Sequence, residues 1–231
     1  MFTLTTITTV YLVVAAGLLA LAAWGYAGYQ KSPSPLTKYL SLSTLFAAMY
    51  FMFNSVPFIL TNNLDVLKMA VNIGDVFYYS AVLVMPFMIW YLLFNKRPSP
   101  YFLFVPTFII TIGVYVTYVY NIWHTQVALK AGFLDYSWPI AALRFDALLG
   151  ALFVISGLLL LRLTKTATSF RGRIRIITIA AAYLVGGANA IYNTLFLRGL
   201  NNSLVIDISY VAIFAIVLVV SLVGGVHKAR K

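Results

Sequence analysis

The sequence predicts an all-α, polytopic membrane fold of seven transmembrane helices, with the N-terminus outside and the C-terminus in the cytoplasm. Three observations predict it. Of 231 residues, 62% are hydrophobic and 9% charged, and the mean hydropathy is +0.94. Soluble domains run near ~45–50% apolar and ~25% charged, so these few charges could not coat a water-exposed surface around such an interior. Seven apolar runs reach the roughly 20 residues that a spanning helix needs: 6–30, 37–60, 67–94, 101–122, 139–162, 174–197 and 203–226. Finally, the basic residues are lopsided. The gaps after the first, third and fifth spans, with the C-terminus, hold twelve: Lys31, Lys38, Lys96, Arg97, Arg162, Lys165, Arg171, Arg173, Arg175, Lys228, Arg230 and Lys231. The opposite side holds four, Lys68, Lys130, Arg144 and Arg198. Cytoplasmic loops carry the excess of Lys and Arg, and the resulting orientation requires an odd number of spans.

Taken in order, the spans are separated by turn-forming chemistry. No Lys or Arg precedes the first run, so it lacks the basic segment of a cleaved signal peptide and is expected to remain as an anchor. KSPSPL closes it, and the second span carries Pro57, an expected kink, before NNLD. NKRPSP follows the third span. The fourth leads into the one long connection, from Asn121 to Trp138, and NNS separates the sixth from the seventh. Helices are preferred to barrel strands because the runs exceed 20 residues and lack a ten-residue alternating pattern. The chain reads as a single transmembrane domain, 1–231, in the cell membrane.

A short internal repeat relates the ends of the second and sixth spans, FNSVPFILTNN at 53–63 and YNTLFLRGLNN at 192–202. Both spans run in the same direction, which implies a three-plus-one-plus-three arrangement about an axis along the membrane normal. Recurrence of loop-forming Asn pairs at helix ends is the simpler alternative.

The same inventory narrows function. The net charge of +11 is spread over short gaps and forms no single solvated face, so no nucleic-acid partner is expected. Without cysteine there is no thiol catalysis, Cys-ligated zinc or iron–sulfur cluster. No HExxH, GxSxG or P-loop pattern occurs, and His124 and His227 fall on opposite predicted sides. No enzyme, metal or cofactor is expected.

Ionisable residues within spans are costly and therefore mark functional candidates. Asp75, Asp146 and Asp207 lie in or near the outer thirds of their spans. Helical spacing groups Asn72, Asp75 and Tyr79, then Gly186, Asn189 and Asn193, then Ser203, Asp207 and Tyr210. Tyr50 and Asn54 stand above Pro57, and Arg144 is expected to pair with an acid from a neighbouring helix. The expected site is an outward-facing polar pocket formed by Asn54, Asp75, Tyr79, Arg144, Asp146, Asn189, Asn193, Asp207 and Tyr210. The aromatic loop with Trp123, His124, Phe133 and Trp138 would lie over it. Three Asp against one Arg favour a small cationic or hydroxyl-rich ligand. The alternative is that these groups snorkel to the interface or knit helices together.

Seven helices with an external N-terminus match microbial rhodopsins, but the last span, LVIDISYVAIFAIVLVVSLVGG, has no Lys for a Schiff base, which excludes covalent retinal. The chain resembles the seven-helix N-terminal sensor region of bacterial and archaeal histidine kinases. The features that carry the resemblance are Lys68 at the start of the third span (LKMAVNIGDVFYY), Pro86 late in that span (LVMPFMIWYLLF), and the basic stretch FRGRIRIITIAAAYLVGG that opens the sixth. It implies an input module that takes a small extracellular ligand and signals through the seventh helix to a cytoplasmic effector. The sequence ends at HKARK with no kinase, PAS or dimerisation segment, so an excised module or a stand-alone relative is implied. A second resemblance is to the SWEET/PQ-loop transporters, favoured by the repeat and opposed by the lack of a PQ dipeptide and of a sixth-span partner for Pro57. It implies a small-solute transporter. The third reading is a non-binding membrane scaffold, and in all three the bilayer is the principal partner.

Overall fold

Proline and asparagine chemistry sets most of the helix boundaries. A computed structural model describes residues 6–97, 99–130, 132–192 and 194. Its elements are α1 (Thr6–Lys31), α2 (Pro35–Phe53), α3 (Val56–Leu60), α4 (Leu64–Phe94), α5 (Pro100–His124), β1 (Ala128–Lys130), β2 (Phe133–Asp135), α6 (Ile140–Arg162), a 3-10 turn (Leu163–Lys165) and α7 (Phe170–Tyr192). Among the described residues, six helical segments are long and apolar enough to cross a bilayer. The seventh predicted span, 203–226, and the second copy of the Asn-Asn repeat lie outside the described residues.

The second predicted span is built from α2 and α3 because Pro57 has no N–H to donate to Phe53. Side chains satisfy carbonyls around the break. Ser55 Oγ donates to Phe51 O at 2.7 Å and Asn54 Nδ2 donates to Tyr50 O at 2.9 Å. Asn63 then starts α4 as an N-cap, its Oδ1 accepting from the N–H groups of Asp65 at 3.0 Å and Val66 at 3.3 Å. Pro86 lies inside α4, which nevertheless runs for 31 residues. Asn95 ends that helix with φ of 50°, its N–H bonded to Tyr91 O at 2.8 Å. An Asn in the left-handed region is a standard way to close a helix.

The long connection contains structure that the sequence pattern did not announce. Strands β1 and β2 pair antiparallel, with Ala128 opposite Asp135 and Lys130 opposite Phe133. Gly132, at φ of 84°, supplies the positive dihedral that such a tight turn needs.

The described residues form two compact units. One comprises those of 1–87 and 97–145, the other those of 88–96 and 146–231. In the first, Phe58, Leu67, Val71, Tyr118, Ile122, Leu134 and Ala142 make a buried cluster that joins α3, α4, α5, the hairpin and the start of α6. The Tyr11 ring meets Phe51 edge-on at 5.2 Å, fixing α1 to α2. In the second unit, α6 and α7 meet through glycine. A Cβ on Gly187 would stand 2.5 Å from Gly150 O, and one on Gly150 would stand 2.7 Å from Gly187 O. That close approach is open only to residues without a side chain. Gly186, its neighbour, faces nothing within 4 Å.

Many large apolar side chains remain exposed, including Val13, Tyr101, Ile109, Val116, Leu158 and Val185. They occur on nearly every long helix. Such exposed apolar faces on long helices suggest a multi-pass membrane protein.

Candidate functional site

The stripe Lys68, Asn72, Asp75 and Tyr79 recurs at four, three and four residues, so it runs along one face of α4. This face is buried where it meets α5. Asn72 is 7% exposed, Asp75 4% and Tyr79 3%. At the end nearer the hairpin, Lys68 Nζ lies 3.7 Å from Asp65 Oδ1 and 5.2 Å from the centroid of the Trp123 ring. The stripe therefore begins in a partly solvated ion pair and continues into a closed interior.

Helix α5 answers with Tyr115 and Tyr118, one turn apart. Tyr118 is fully buried, and its hydroxyl hydrogen-bonds both the Asp75 carboxyl and the Tyr136 hydroxyl. A phenol has one proton to give. Either hydroxyl can be the donor in the Tyr118–Tyr136 pair. These contacts link the loop after β2, through α5, to α4. Tyr115 Oη reaches the Asn72 carbonyl at 3.4 Å, a weak contact. Asn72 Oδ1 is buried and accepts no hydrogen bond among the described residues.

Packing holds this chain in place. The Tyr79 ring meets Tyr115 at 6.1 Å, Tyr118 at 6.4 Å and Phe145 at 5.7 Å. On the loop side, Trp138 meets Tyr118 edge-on at 5.2 Å and stacks on Tyr136 at 6.2 Å. A second strap joins the same segments, with Asn121 Nδ2 donating to Ser137 O. The loop that follows the hairpin is thus tied to α5 by two hydrogen bonds and two edge-on ring contacts with Tyr118. On the outer surface of α5, Tyr115, Val116, Val119, Tyr120, Trp123 and His124 line an open apolar hollow of about 430 Å³. The His124 ring stacks on Tyr120 at 4.0 Å there.

Of the residues singled out from the sequence, Asp75 and Tyr79 come together with Asn72. Asn54 bonds back to its own helix, and its amide lies against Gly74, where a Cβ would stand 2.7 Å from Nδ2. It abuts the α4 helix one residue before Asp75. Arg144 is exposed and makes no ion pair among the described residues. Asp146 accepts a hydrogen bond from Thr194 Oγ1 at 3.2 Å, within the second unit. Asn189 lies on α7, while Asn193, Asp207 and Tyr210 lie outside the described residues. Phe133 is in β2, and Trp123, His124 and Trp138 flank the hairpin.

The sequence reading passed over Tyr115, Tyr118 and Tyr136. The signal for the first two was present, since YVTYVY places tyrosines at i and i+3 on one face of α5. Nothing in the spacing pointed to Tyr136, which reaches the site only because the hairpin folds the chain back.

Compared with known families, curated proteins and solved structures, the chain matches none. What it does must therefore be argued from its own residues.

Proposed function

We propose that the protein is a seven-span sensor of the cell membrane, N-terminus outside, in which the loop containing the hairpin is the input element. The observation that supports this reading is the hydrogen-bond chain Tyr136–Tyr118–Asp75. It couples a loop to the buried face of a spanning helix through a side chain with no route to solvent. A small ligand that displaces the loop must break or redirect that chain, and α4 would feel the change as altered hydrogen bonding at Asp75. Buried polar networks are suited to this because they favour discrete arrangements over continuous deformation.

In this proposal Asn193 and Asp207 line the outward-facing polar pocket expected from the sequence. Helix seven carries the signal through Asp207 towards His227 and a cytoplasmic effector. No covalent cofactor or metal takes part. The absence of Lys from 203–226 removes the residue on which a retinal Schiff base would form.

Cysteine substitution tests the reading on a background that has none. Cys at Asn193 and at Asp207 is labelled with a membrane-impermeant thiol reagent applied to each side. Labelling from outside alone supports the receptor. Labelling from both sides supports a transporter in its place, and labelling from neither side rejects the pocket.

A further inference from the structure

The turn between α6 and α7 concentrates positive charge with nothing in its own stretch of chain to balance it. Five basic residues, Arg162, Lys165, Arg171, Arg173 and Arg175, fall in the turn or on the helix ends that flank it, and no acidic residue occurs between Asp146 and Asp207. Arg162, Lys165 and Arg173 are exposed and make no ion pair among the described residues.

Three of the turn's hydroxyls make local hydrogen bonds. Thr164 Oγ1 donates to Leu161 O at 2.6 Å, Thr166 Oγ1 donates to Leu163 O at 2.9 Å, and Ser169 Oγ accepts from Gly172 N at 3.0 Å. The charge the turn presents outward is all cationic. Beside the charges stand apolar groups. Phe170 is 77% exposed, and Ile174 and Ile177 follow it at four and seven residues, also exposed. The apolar span of this helix begins at Gly172, so Phe170 and Arg173 straddle its edge. A basic cluster interleaved with exposed apolar side chains at the end of a span fits a bilayer interface, with hydrocarbon under the rings and phosphates beside the guanidinium groups.

We propose that this turn, with the first turn of α7, is a docking surface for the phosphate headgroups of anionic phospholipids. Charge complementarity selects the occupant, and the exposed Phe170 and isoleucines select a lipid over a soluble anion because they need apolar cover at the same depth. The exposed Arg173 side chain, at the edge of the span, can turn back along the surface to reach headgroup level. The proposal is independent of the sensor reading and holds for either orientation of the chain.

The test uses the full chain in nanodiscs of phosphatidylcholine, alone or mixed with phosphatidylglycerol, with native mass spectrometry reading the lipids retained on release. The wild type should retain phosphatidylglycerol in preference to phosphatidylcholine, and added salt should weaken that retention. Each basic residue near a charged surface contributes roughly a fivefold preference, so R162Q/K165Q/R173Q should weaken retention by about a hundredfold. These positions are exposed, and circular dichroism should report unchanged helicity. A second variant, K31Q/K38Q/K96Q, removes equal charge elsewhere and should keep the preference. Equal retention of both lipids by the wild type, or equal loss in both variants, would overturn the proposal. So would preferential binding of polyglutamate, which would assign the turn to an acidic protein partner.

Discussion

Tyr118 links the loop after the hairpin to the buried face of α4. Replacing it with Phe keeps the ring contacts with Tyr79 and Trp138 but removes a donor from a buried carboxyl and the partner of Tyr136. Deleting one member of a buried hydrogen bond costs about 1–3 kcal/mol, so Tyr118→Phe should lower the unfolding midpoint in nanodiscs. Tyr136→Phe should cost less, and the double variant should fall short of the sum, because both changes remove the same bond. Additive effects would mean that the two hydroxyls act separately. Asn72 makes the opposite prediction. Its Oδ1 is buried without a hydrogen bond among the described residues, so Asn72→Leu should be neutral or stabilising by up to about 1 kcal/mol, read from the same midpoint. The shared face of Asn72, Asp75 and Tyr79 was legible because helical spacing alone defines it. The tyrosines that complete the cluster were not, since pairing across helices and a returning loop leaves no periodic trace.

Among the elements, six of the predicted spans have helical counterparts within a few residues, and the differences have local causes. The Asn63 cap starts α4 at Leu64, three residues before the apolar run, and Ser169 precedes an α7 that begins at Phe170 instead of residue 174. Capping residues are polar, so a hydropathy reading trims them from the helix. The expected kink at Pro57 is a full break, whereas Pro86 leaves α4 continuous. The hairpin was invisible because strands of three residues are too short to display alternation. Packing of α6 against α7 gives a sharp pair of outcomes from adjacent positions. Gly187→Ala forces a methyl group against Gly150 O and the Phe153 side chain, and should cost about 1–3 kcal/mol as an overpacked contact. Gly186→Ala meets open space and should instead add up to about 1 kcal/mol of helix propensity. Thermal unfolding of the two variants side by side would separate close packing from a general intolerance of substitution.

For the molecule as a whole, the exposed apolar faces and the six long helices suggest a multi-pass membrane protein. At 31 residues and about 1.5 Å per residue, α4 is about 46 Å long against a hydrocarbon core of about 30 Å. A helix of that length that crosses a bilayer must tilt or project into the headgroups. Composition made the membrane class legible at once, because it is a property of the sum. Direction across the bilayer is a finer matter, since it follows from a charge count over short gaps and from a seventh span outside the described residues. The proposed sensor requires the hairpin and the α6–α7 turn to lie on opposite sides. Single cysteines at Leu129 in β1 and at Thr168 before α7 are both exposed positions, and each can be labelled in intact cells with an impermeant maleimide. Labelling at 129 in intact cells, with labelling at 168 only after permeabilisation, is the result this account predicts. Labelling of both positions from the same side would contradict it.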